Sequence, residues 1–163
     1  MEPTGILTIL LCLWLLLAIK MGFIGMSILI QHAMPGFVER ATEHYRKKPR
    51  RWVIFLGIVN GVAIPFISIL LISTEVLALP GFLLLLSYLW LALLGYTVVY
   101  RDIGSNLFED LGENREFKVT LYGGMIAEAA FLTPVLGQFY SIVLFIRSLG
   151  AVTLAILGRR REG

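Results

Sequence analysis

Residues 119–158 read VTLYGGMIAEAAFLTPVLGQFYSIVLFIRSLGAVTLAILG, and how this stretch folds decides the topology of the chain. As one helix it would extend about 60 Å at 1.5 Å per residue, twice the roughly 30 Å of a hydrocarbon core. Thr133-Pro134-Val135-Leu136-Gly137 supplies a break. Pro134 biases Thr133 away from helical backbone and can itself begin a helix, and Gly137 tolerates a turn. Two helices joined by a tight turn are therefore expected. The first, over 119–132, is short and needs Phe117 and Lys118 at the interface, or a locally thinned bilayer, to complete its crossing.

Working outward, three further stretches are long and apolar enough to span: 5–30, interrupted only by Lys20, then 52–73 and 79–100. The chain is 58% hydrophobic and 15% charged, with a mean hydropathy of +0.83. Soluble domains carry roughly 25% charged residues, so this composition describes an integral membrane protein and excludes a soluble function. A lone Cys12 allows neither a disulfide nor a cysteine metal site within one chain. His32 and His44 fall in a polar segment, so they do not form a pair at bilayer depth to hold a haem. The opening MEPTG has no basic residue, unlike a secretory signal peptide, and the first span is expected to be retained.

The distribution of Lys and Arg tests the span count, because cytoplasmic segments near span ends are enriched in them. Basic residues cluster at 31–51, 101–118 and 159–161, and are absent from 1–4, 74–78 and 133–136. Five spans alternate without exception, whereas a four-span count puts Arg159, Arg160 and Arg161 outside. The expected fold is an all-α polytopic membrane bundle of five transmembrane helices, N-terminus out and C-terminus in. Its parts are a first span within 1–34, a basic amphipathic cytoplasmic segment at 35–51, and a transmembrane hairpin at 52–100. An acidic amphipathic loop at 101–118 and a second hairpin with a basic tail at 119–163 complete it.

In the first cytoplasmic segment, Phe37, Ala41 and Tyr45 share a helical face with Val38 beside them, as in an interfacial helix. Arg46, Lys47, Lys48, Arg50 and Arg51 at its end are expected to contact anionic lipid of the cytoplasmic leaflet or a partner. The second segment spaces Ile103, Leu107 and Leu111 four apart among Asp102, Glu109, Asp110, Glu113 and Glu116. Being net acidic, it is repelled by an anionic surface and is expected to fold against the basic segment.

Within the spans, Lys20 is expected to snorkel to the headgroups or to meet an acidic residue of another helix. Gly57 and Gly61, at GxxxG spacing with Asn60 between them, mark a helix-packing face, either internal or between copies in a homo-oligomer. Glu128 lies eight residues before Leu136 and Arg147 eleven after it. Their depths then differ by only about 5 Å, and an intramembrane ion pair between the last two helices is expected.

Three stretches together resemble a known family: MPGFVERATEHYRKKPRRWVIFLGIVNGVAIPFISILLIS, LPGFLLLLSYLWLALLGYTVVYRDIGSNLFEDLG and YGGMIAEAAFLTPVLGQFYSIVLFIRSLGAVTLAILGRR. The similarity is to the four-helix membrane module fused to, or encoded beside, bactofilin-like polymer-forming proteins of bacteria. It covers residues 35–160. The Arg46-to-Pro49 approach to the second span, Leu94-Gly95, Ile103-Gly104, the Pro134-to-Gly137 turn and Leu149-Gly150-Ala151 carry it. The resemblance implies a bacterial membrane anchor or scaffold unit and supplies no catalytic residue.

The function expected from these features is non-enzymatic: a scaffold, assembly or accessory subunit of the bacterial cytoplasmic (inner) membrane that packs against other membrane subunits. The alternative is a small oligomeric channel or transporter using Glu128, Asn60 or Lys20. HExxH, GxSxG and CxxC are not in the sequence, so neither an enzyme nor a cofactor is expected. The basic segment abuts the bilayer, which argues against a nucleic-acid partner.

Overall fold

The computed structural model describes residues 3–47, 50–108, 112 and 114–158. Among them all regular structure is helical: α1 (Pro3–Ala33), α2 (Pro35–Lys47), α3 (Arg50–Ser73), a 3-10 turn (Glu75–Leu77), α4 (Ala78–Leu107), α5 (Arg115–Phe131) and α6 (Leu136–Gly158). Among the described residues, four helices are long and apolar enough to cross a membrane, within α1, α3, the turn with α4, and α6. This is the pattern of a multi-pass membrane protein. At 17 residues α5 falls short of the about 20 that a bilayer crossing takes.

Centrally placed, α4 packs on each of the other five α-helices. Its second half buries Leu94, Gly95, Thr97, Val98, Val99 and Tyr100. It also runs on through residues expected to form a loop, ending only at Leu107. Two glycine pairs let backbones touch. On the α4–α5 seam a Cβ at Gly104 would collide with the Val119 carbonyl, and one at Gly123 with the Tyr100 carbonyl. On the α3–α6 seam, Gly57 meets Ile146 and Gly150 meets Val53 in the same way. Lipid offers no hydrophobic drive between helices, so this close packing supplies much of the association energy.

The break in 119–158 lies where it was expected, but its mechanics differ. Val135, not Gly137, takes the left-handed backbone, at φ 66°. Gly137 is a packing position whose missing side chain makes room for the Ala130 carbonyl and Thr133. The two helices also part company beyond their turn: α5 packs foremost on α4 and then α1, while α6 packs on α3, α4 and α2.

The amphipathic reading of α2 is right about the face and wrong about what it meets. Val38, Ala41, Thr42 and Tyr45 are buried, and α2 packs on α6 and α4. That face belongs to the bundle rather than to the bilayer.

Candidate functional site

Along α1 the buried positions are Ile24, Ser27, Ile30 and Gln31, one stripe at helical spacing with Lys20 on its continuation. On α5, Glu116, Thr120, Gly124 and Glu128 recur every four residues and form the facing row. Three contacts fix the register. Gln31 Nε2 donates to Glu116 Oε2 at 3.5 Å, Ile24 lies against Gly124, and Lys20 Nζ stands 2.5 Å from Glu128 Oε2. The same register sets Ser27 opposite Thr120. Both hydroxyls are buried without a hydrogen-bond partner among the described residues.

Glu128 is the centre of this site. The Tyr100 hydroxyl, from α4, donates to its Oε1, and Lys20 pairs with the other oxygen, so one carboxylate joins α1, α4 and α5. The Phe131 ring centroid lies 5.9 Å from Lys20 Nζ and adds a weak cation–π contact. The Lys20 side chain keeps 31% of its surface while Glu128 keeps 7%, so the pair is open on the lysine side. A cleft of about 180 Å³ lies there, walled by Leu16, Leu17, Met21, Met125, Ala129 and Leu132. An unpaired charge at this position would be costly, and the partner on another helix makes it tolerable.

The expected Glu128–Arg147 pair does not form. The reason is the divergence of α5 and α6: α5 turns Glu128 toward α1 and α4, and α6 turns Arg147 toward α2. Arg147 Nη2 donates to the Tyr45 carbonyl at 2.7 Å, and its guanidinium lies 4.0 Å over the Tyr45 ring. Tyr45 is in the last turn of α2, where carbonyls lack helical donors and a cation is favoured, so Arg147 acts as a cap for that helix. Of the two expectations for Lys20, the acidic partner on another helix is the one seen, Glu128 of α5. Burial pushes the Tyr45 phenol up to about 12, against the lowering effect of Arg147.

The basic segment divides. Arg46 reaches across to α4: Nε meets Asp102 Oδ1 at 2.5 Å, and Nη2 donates to Ser105 Oγ at 2.6 Å and Asn106 Oδ1 at 3.1 Å. Its clasp on the start of the 101–118 segment is the one its charge implies. Arg101 and Glu116, 3.4 Å apart, close that segment on itself. Lys47 forms a solvent-facing pair with Glu43 at 3.3 Å, and Arg51 is exposed at the start of α3. Lys48, the Arg50 side chain, Arg159 to Arg161, and Glu109, Asp110, Leu111 and Glu113 lie outside the described residues.

The Gly57 face is internal. Asn60 Nδ2 donates to Thr153 Oγ1 of α6 at 2.7 Å, and Gly57 is clamped by Ile146. Gly61 is looser, with only Leu149 at ordinary contact distance from where a Cβ would sit. Sequence reasoning missed Tyr100, because an aromatic in an apolar run carries no sign that its hydroxyl is needed. It also passed over the facing rows on α1 and α5, which helical spacing alone could have found.

Over 10–19 α1 is little covered, though Leu16 and Leu17 line the cleft against α5. Every residue over 10–19 is exposed, including Trp14 at 73% and the free Cys12. These residues are consecutive and turn through 100° each, so exposed apolar side chains lie on every face of the helix. Among the described residues, no group of three or more His, Cys, Asp or Glu side chains could hold a metal ion. Compared with known proteins, the chain matches no family model, no curated protein and no solved structure.

Proposed function

We propose that this protein is a non-enzymatic accessory or scaffold subunit that docks onto another membrane protein through the N-terminal half of α1. The observation that carries this reading is the contrast within one helix. From Lys20 onward α1 is seated by Glu128 and a buried stripe, while over 10–19 every residue is exposed. A helix that is apolar all round suits a membrane-buried contact on any face. The Lys20–Glu128–Tyr100 cluster holds it at a fixed angle to the bundle.

In this reading the protein lies in the cytoplasmic membrane of a bacterium, as the resemblance to the bactofilin-associated module implies. Five spans run from N-terminus out to C-terminus in, with α5 completing its crossing through the turn at 132–135. The alternation of basic segments supports that count. Among the described residues, Lys47 and Arg51 are exposed basic side chains that can meet anionic lipid. A photo-crosslinker attached to the native Cys12 thiol in intact membranes tests the docking. Reaction with one protein of defined mass supports it, and reaction with lipid alone removes it. The runner-up, a proton or ion path using Glu128, rests on that carboxylate lying beside an open cleft. Loss of flux in Glu128→Gln proteoliposomes would favour it.

A further inference from the structure

A larger cavity lies away from the ion pair. Where the apolar span of α1 ends at Ala33, a groove of about 590 Å³ opens between the start of α2, α4 and α6. Its size is that of a small-molecule site, about 300–1,000 Å³. Its walls are apolar, formed chiefly by Met34, Phe37, Trp90, Leu91, Leu94 and Ile156. Arg40 stands on its rim.

The groove has the order of chemistry of a lipid. Arg40 Nε donates to the Gly36 carbonyl at 3.1 Å, its one side-chain hydrogen bond among the described residues. That bond occupies Nε and leaves both terminal nitrogens to donate. An end-on pair of N–H donors matches two oxygens of a phosphate. Gly36 adds clearance, since a Cβ there would meet nothing within 4 Å. Below this cationic rim the walls offer no charge, so they suit a ligand whose anionic head is followed by a long hydrocarbon.

We infer that this groove binds one anionic phospholipid, its phosphate on Arg40 and an acyl chain against Trp90, Leu94 and Ile156. The site does not depend on what docks on α1. A helical protein partner would leave the paired donors of Arg40 unmatched unless it brought a carboxylate into the apolar groove. A phosphodiester with an attached chain supplies both parts in one molecule. Arg46, on the same helix, is engaged with Asp102.

The test uses the full chain in dodecyl maltoside after extensive delipidation, titrated in native mass spectrometry. The probes are phosphatidylglycerol, phosphatidylcholine of the same chains, and inorganic phosphate. One phosphatidylglycerol should bind at least tenfold more tightly than phosphatidylcholine. Arg40→Ala should erase that preference, Arg40→Lys should keep part of it, and Arg115→Ala, at the exposed start of α5 and away from the groove, should leave it unchanged. Ile156→Trp, which fills the groove without touching Arg40, should weaken phosphatidylglycerol about tenfold and so serves if Arg40→Ala does not fold. Equal binding of the two lipids, or an Arg40→Ala variant that binds as the parent does, overturns the site. Inorganic phosphate that competes at concentrations similar to the lipid would show an anion site without a chain, and overturns the lipid assignment.

Discussion

Glu128 shows how far one carboxylate's surroundings decide its part. Helix rise alone puts it level with Arg147, yet it pairs with Lys20 and accepts from Tyr100. Depth is legible in a sequence; azimuth, the direction a side chain takes around its helix, depends on which neighbours the helix finds. Lys20→Met and Glu128→Gln should each destabilise the protein, by about 2 kcal/mol or more where a buried partner is left alone. Combined, they should cost less than their sum by about 0.5–3 kcal/mol. Glu128→Gln and Arg147→Gln should instead add to within about 0.5 kcal/mol. Reversible unfolding in mixed micelles measures both cycles. Val135 offers a second test, since a β-branched residue at φ 66° is strained. Val135→Gly should raise stability by about 1–2 kcal/mol in the same assay, and a loss would show that its side chain matters more than its backbone.

For the helices, the sequence was most informative about the break between α5 and α6, and not about α4, which runs on to Leu107. The turn at Pro134 and the amphipathic face of α2 were both readable, because proline chemistry and helical period act locally. Partner choice was not readable: the α2 face carries no mark that distinguishes a bundle surface from a lipid headgroup region. The GxxxG at Gly57 and Gly61 shows the same limit, since only Gly57 is a close-contact point and its counterpart, Gly150, lies on another helix. Gly57→Ala or Gly150→Ala should cost about 1–3 kcal/mol through backbone collision, while Gly61→Ala should change stability by less than about 0.5 kcal/mol. The α2–α6 contact makes a pH prediction. The Tyr45 phenol titrates near 12 when folded against 10.0 when free, so folding favours its neutral form. That contribution is whole below pH 10 and is lost as pH rises through about 12. A thermal-shift series across this range should show Tyr45→Phe losing less stability than the parent.

Taken whole, the molecule is a helix bundle organised around α4 with one helix only half attached. Composition alone made it a membrane protein, because an apolar fraction this high has no other stable solvent. The number of crossings was less legible, since α5 is short and its role depends on packing and turn geometry that hydropathy does not record. The unattached half of α1 was invisible in the sequence: 5–30 reads as a uniform span, and only the structure divides it at Lys20. A variant-by-variant crosslinking comparison in native membranes addresses this feature most directly. The probe is a photo-crosslinker on Cys12, with Val62→Cys in a Cys12→Ser background as the control on the exposed face of α3. A docking α1 yields one protein adduct of defined mass from Cys12, none from position 62, and a weaker adduct when Leu16→Asn is added. Lipid adducts alone from Cys12, or the same protein adducts from both positions, would contradict docking through α1.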